Sequence, residues 1–181
     1  MDVLYIFISD MDMEEHIKSG HNKNLNQELN IYVGHSQERF DELMQYVLHD
    51  EYRLCQRASW TLGKVCETRP WLMEKWLPEI LKALEKPKHD ALIRNVVRAF
   101  QGMDELPEEY EGEIFEKCFN YLLDPSYAVA IKAFSMTVCR KVAMKYPDLK
   151  PELIEVINDV LVNGSSGILS RGRKEIYLLS K

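Results

Sequence analysis

Glycine and proline are scarce in this chain, eight and seven respectively in 181 residues. An all-β fold needs more turns than so few breakers provide, which leaves long helices as the main element. No CxxC pair occurs. The four cysteines, Cys55, Cys66, Cys118 and Cys139, are scattered through apolar, helix-like runs. They supply no set of four converging zinc ligands and read as buried, reduced thiols of a cytoplasmic protein. Excess positive charge is missing too: the formal net charge is −6, so no global field draws the molecule onto nucleic acid or anionic lipid. A Gly-rich phosphate loop, a GxSxG elbow, an HExxH pair and a local Cys-His pair are all absent. These absences exclude the commonest catalytic and cofactor sites, and the chain reads as a non-enzyme with no cofactor and no evident small-molecule substrate. The apolar run Val3 to Ile8 lacks a basic flank and is too short to span a membrane or serve as a signal. It reads either as a short arm that docks on the first helices or as an extension from an early start codon, since Met11 and Met13 follow in frame.

What is present is helical periodicity, nearly throughout. A first helix is expected over about residues 13 to 32, stopping at Gly34. Ser36 is placed to cap the next helix, ERFDELMQYVL, with Glu38, Asp41 and Glu42 near its positive end. His49-Asp50 breaks that helix. Another follows from Glu51 to Glu67 and ends before Pro70. WLMEKWLPEILKALEK continues, with Pro78 as a kink or a restart. After the turn Pro87 to Asp90 come ALIRNVVRAFQGM, YEGEIFEKCFNYLL, YAVAIKAFSMTVCRKVAMKY, ELIEVINDVLV and ILSRGRKEIYLLS. The eight helices after the first form four pairs, with corners at Asp50, Asp90, Asp124 and Asn163. That recurrence, at a period of roughly 34 to 40 residues, is the mark of a helical solenoid. The second helix of each pair carries a small residue near its middle: Ala58, Ala99, Ala133 and Gly172.

The stretch LPEILKALEKPKHDALIRNVVRA has a proline early in the first helix (Pro78), an aspartate at the corner (Asp90) and an Ile93-Arg94 step. LLDPSYAV repeats the corner with Asp124, Pro125 and Val129, although Ala130 stands where arginine is usual. The first unit offers Asp50, Arg53 and ASWTLGKV. In this ordered Pro, Asp, Arg spacing the chain resembles the HEAT repeat family. The resemblance implies an all-α, right-handed α-α superhelix, a HEAT-like solenoid of about four helix pairs plus an N-terminal helix. Residues 1–35 form the arm and first helix in this reading, and residues 36–181 form one continuous repeat domain. The last unit, with Asn163 and a Gly-Ser loop, departs from the pattern as a capping repeat does.

The dyads His49-Asp50 and His89-Asp90 raise the question of a metal site, because all-α phosphohydrolases are built on such pairs. They occupy equivalent corners of consecutive repeats, about 10 Å apart by the diameter of a helix, whereas one metal needs ligands at about 2 Å. Their carboxylates are expected to cap the following helices or to pair with Arg53 and Arg94. GSSGILSRGRK opens like the flexible loop of the fumarase and adenylosuccinate lyase superfamily. It lacks the Met-Pro-x-Lys-x-Asn continuation and reads as a turn. The glutamates Glu108, Glu109, Glu111 and Glu113 read as a solvated helix start that complements the helix dipole.

Charge is unevenly distributed. The second helices hold about thirteen Lys or Arg against about three Glu, so the acid lies elsewhere. Second helices line the concave surface of HEAT-like solenoids, so the resemblance implies a basic concave face. Arg53, Arg57, Trp60 and Lys64 share one helical stripe, beside the apolar stripe Leu54, Ala58, Leu62 and Val65. Arg94, Arg98 and Gln101 repeat the polar stripe opposite Val97 and Phe100. Lys132, Ser135, Arg171 and Lys174 continue it. The stripe either pairs internally with the corner aspartates or binds an extended acidic ligand with Trp60 as anchor. The binding reading makes the chain a protein-interaction scaffold for an acidic peptide or helix. The alternative is a nucleic-acid-binding or DNA alkylation repair-like HEAT protein, which has against it the negative net charge and the lack of an acidic residue beside Trp60.

Overall fold

The computed structural model describes residues 11–181 apart from Asn163, so the arm at Val3 to Ile8 and the corner at Asn163 lie outside the described residues. Every regular element among the described residues is helical. In chain order these are α1 (Met13–Ser19), α2 (Lys23–Val33), α3 (Gln37–Val47) and α4 (Tyr52–Val65). A 3-10 segment (Pro70–Trp76) then runs into α5 (Leu77–Ala83) and α6 (Asp90–Gly102). Next come α7 (Glu108–Leu123), α8 (Val129–Lys145), a short 3-10 turn (Pro147–Leu149), α9 (Lys150–Leu161) and α10 (Ser166–Leu179). None is long and apolar enough to cross a membrane.

The chain forms two compact units, which divide between Met103 and Asp104. In the first, α3 packs on α4 and α4 packs on α6, so second helices of successive pairs lie against each other. The second unit repeats the arrangement, with α7 on α8, α9 on α10, and α8 on α10. The core of the first unit is the inner face of each amphipathic helix. Phe40, Leu43, Met44 and Val47 come from α3, Leu54, Ala58, Leu62 and Val65 from α4, and Ile93, Val97 and Phe100 from α6. The apolar stripe expected on α4 is therefore buried in full. At Gly63 an added Cβ would fall 2.7 Å from the Asn95 side-chain oxygen of α6, so only glycine permits that crossing. The small residues Ala58, Ala99 and Gly172 are buried, while Ala133 is half-buried.

Several expectations are corrected by tertiary partners. The first helix is two helices, because the chain is fully extended at Gly20 and restarts at Asn22. The Asn22 side chain accepts from the Asn24 and Leu25 amides, which makes it a strong N-cap. Ser36 does cap α3, accepting from the Arg39 amide at 3.2 Å. Pro78 is a restart, placed in the first turn of α5 after the 3-10 segment. At both dyads the histidine, not the aspartate, closes the corner. His49 Nδ1 accepts from the Glu51 amide at 2.9 Å, and His89 Nδ1 accepts from the Ala91 amide at 2.7 Å. Asp50 pairs instead with Lys88, whose ammonium approaches it across the turn that precedes α6. Only Asp124 behaves as its position suggests, accepting from the Ser126 amide at 2.8 Å.

The acidic start of α7 is not wholly solvated. Glu111 is buried, and its carboxylate accepts from Lys145 Nζ at 2.5 Å and from the Tyr146 hydroxyl at 2.8 Å. Burial raises its pKa, but the hydrogen bonds and charge of those partners outweigh that and hold it below the usual glutamate value.

Candidate functional site

Four residues of the predicted stripe, Arg57, Trp60, Lys64 and Arg98, gather around α2, which packs across α4. An open groove of about 450 Å³ runs between them, lined by Lys23, Asn26, Gln27 and Asn30 of α2 and by Trp60, Lys64 and Arg98. The α2 residues are spaced i, i+3, i+4 and i+7, which places them on one helical face. The groove thus has an amide-rich wall, a basic wall and an indole between the two.

Trp60 is half-buried, with its ring 4.7 Å from that of His21 at an interplanar angle of 51°. Burial lowers the His21 pKa, and the charges of Arg57, Arg94 and Arg53 lower it further. Three arginines of the stripe therefore lie near enough to one imidazole to disfavour its protonation. Arg57 is also structural: its guanidinium donates to the carbonyl oxygens of Ile17 and Lys18, each at 2.8 Å, closing the C-terminal end of α1.

Lys64 and Arg98 converge on Glu67. Lys64 Nζ lies 2.6 Å from one carboxylate oxygen, and Arg98 donates to the other. Burial pushes the Glu67 carboxyl up, but the two cations more than offset this and hold it below its ordinary value. One carboxylate against two cations leaves one positive charge over, and Lys23 adds another across the groove.

The remaining members are dispersed. Arg53 donates to Gln56 at 3.3 Å and lies over the Tyr52 ring, while Asp50 pairs with Lys88. Arg94 is exposed and makes no ion pair among the described residues. Gln101 is half-buried at the end of α6. Lys132 belongs to the second unit, where it reaches the Leu122 carbonyl at 3.4 Å and lines a recess of about 290 Å³ with Pro125, Tyr127 and Asp159. Ser135 is buried rather than part of an exposed stripe. Arg171 contacts Thr137 and the buried Glu175.

Sequence reasoning missed the α2 wall. The run NKNLNQELN carried the signal, since Lys23, Asn26 and Asn30 recur at helical spacing. It also missed Arg69, which is buried and donates to the Asn30 side-chain oxygen. No group of three or more His, Cys, Asp or Glu among the described residues is arranged to hold a metal ion.

A family model for the HEAT repeat domain matches residues 13–177. No curated protein and no solved structure matches the chain. The match spans α1 through most of α10, including the two helices that wall the groove, and it agrees with the pairing of helices in both units. The chain belongs to the HEAT repeat domain family.

Proposed function

We propose that this protein is a non-enzymatic interaction scaffold that binds an acidic segment of a partner protein in the groove between α2 and α4. Scaffolding is the general role of HEAT repeats; the acidic partner is the finer reading. The observation that carries it is the juxtaposition of Lys23, Lys64 and Arg98 around Trp60 in one open groove. Cations at the rim steer and orient an acidic ligand, while a half-buried indole supplies contact area and fixes the register. Arg53 and Arg94 extend the positive field along the same helices, and Lys132 is a candidate contact within its own unit. A polypeptide is favoured over a nucleic acid because Glu67 offsets half of the Lys64–Arg98 charge, whereas phosphate backbones require a strong local excess. The buried free thiols suit a chain working in a reducing cytoplasm.

The test is affinity capture from nuclease-treated lysate with the wild type and with Lys64→Glu/Arg98→Glu. The reading expects a protein retained by the wild type through an acidic stretch, released by high salt and lost in the variant. Retention that disappears on nuclease treatment contradicts it, as does an identical set of proteins on wild type and variant.

A further inference from the structure

Two asparagines of the groove are hydrogen-bonded in opposite orientations, one to a hydroxyl and the other to a guanidinium. Asn26 Nδ2 donates to Thr61 Oγ1 of α4 at 3.0 Å, which leaves its Oδ1 as an acceptor. Asn30 Oδ1 accepts from Arg69, which leaves its Nδ2 as a donor. The second orientation is enforced by chemistry, because a guanidinium only donates and a flipped amide would set N–H against N–H. Arg69 is 8% exposed and its Nε has no hydrogen-bond partner among the described residues, so nothing else draws the guanidinium from Asn30. Burial lowers the Arg69 pKa, and an amide oxygen is the neutral acceptor such a group needs.

Asn26 and Asn30 both line the groove and are four residues apart, about 6 Å along the helix axis. An extended polypeptide presents N–H and C=O groups on one edge every second residue, a repeat of about 6.6 Å. We propose that the pair reads the main chain of the bound segment: Asn26 Oδ1 accepts a peptide N–H, and Asn30 Nδ2 donates to a peptide carbonyl. The inference rests on the acidic-segment reading above and deepens it. The partner is bound extended, not as a helix, because a helix satisfies its own main-chain groups and offers none to the asparagines. Lys64 and Arg98 then take the acidic side chains that face them, while the amide pair fixes position independently of sequence.

The test uses two peptides of equal charge, acetyl-(Gly-Glu)4-amide and its analogue with every glycine N-methylated, titrated into the full chain at low salt. The proposal expects the methylated peptide to bind about tenfold more weakly, the effect of one lost hydrogen bond with its acceptor stranded. In Asn26→Ala that difference collapses. In Asn30→Ala, which leaves the Asn26–Thr61 bond intact, both peptides weaken about tenfold and their ratio stays. Equal binding of the two peptides to wild type overturns main-chain reading and leaves the acidic groove standing. A tenfold ratio that persists in a folded Asn26→Ala overturns the assignment to Asn26. Binding of neither peptide overturns both readings.

Discussion

Arg57 and Ile17 lie 40 residues apart in sequence and are joined by a hydrogen bond of 2.8 Å from the guanidinium to the carbonyl oxygen. With the second bond to Lys18, this contact fastens α1 to the repeat helix α4. It places a cation at the negative end of α1, where the last carbonyls have no partner in their own helix. The N-terminal helices are thereby part of the first unit, and α2 becomes a wall of the groove.

Arg57→Ala removes both bonds and leaves the carbonyls to water or to nothing. The expected loss is about 1–2 kcal/mol of stability, since the site is partly exposed. Urea unfolding measures it. Arg57→Lys should recover only part, because an ammonium cannot reach two carbonyls with the fork of a guanidinium.

The His89 corner makes stability pH-dependent. Burial lowers the His89 pKa, Arg94 and Arg53 lower it further, and Asp90 opposes them; the Tyr52 ring covers the imidazole at 4.3 Å. Its neutral Nδ1 accepts the Ala91 amide, so the folded state binds the proton less readily than the unfolded state. The contribution is therefore complete above the ordinary histidine pKa and is lost as pH falls through the lower, folded value. Between pH 7.5 and pH 5 the Tm of His89→Asn, which keeps a capping acceptor, should fall less than that of the wild type.

Glu175 of α10 is buried between Arg140, whose Nε is 2.5 Å away, and the Thr137 hydroxyl at 2.7 Å. Glu175→Ala strands the cations of α8 and α10. It should cost about 2–4 kcal/mol, the arginines' partial exposure keeping it below the loss of a fully buried pair. Glu175→Gln retains an acceptor and should cost less than half of that. Equal losses in the two variants, measured by denaturant unfolding, would contradict this by showing that a neutral acceptor recovers nothing and that the charge carries the whole contribution.

All four thiols are buried and free. Burial raises Cys66 and Cys118 to about 12 and Cys139 well above its ordinary value. Thiolate is therefore scarce at neutral pH and hard to reach. Mass spectrometry after brief iodoacetamide treatment should find no adduct on the native chain and four in guanidinium chloride.

The sequence revealed much of the architecture because its signals are local. Ser36 before an apolar run, Pro78 at a restart and the spacing of Leu54, Ala58, Leu62 and Val65 each depend on neighbours within a few residues. The details of the site depend on partners 30 or more residues away. Whether His89 or Asp90 caps α6 is decided by the turn's backbone and by Tyr52 packing on the imidazole. That Arg57 is bound by α1 carbonyls follows only once α1 crosses α4. Gly20 and Asn22 did carry a readable break, as Ser-Gly-His-Asn is a turn cluster with a capping asparagine. The amide face of α2 was legible as a period but not as a wall, because nothing local says which face meets α4.

The most direct test is an amide and indole NMR titration of the full chain with an acetylated octaglutamate peptide at low salt. The account predicts saturable shifts at Lys23, Asn26, Asn30, the Trp60 indole, Lys64 and Arg98, abolished by high salt and by Lys64→Glu/Arg98→Glu. Shifts confined to other surfaces, or none at millimolar peptide, would contradict it.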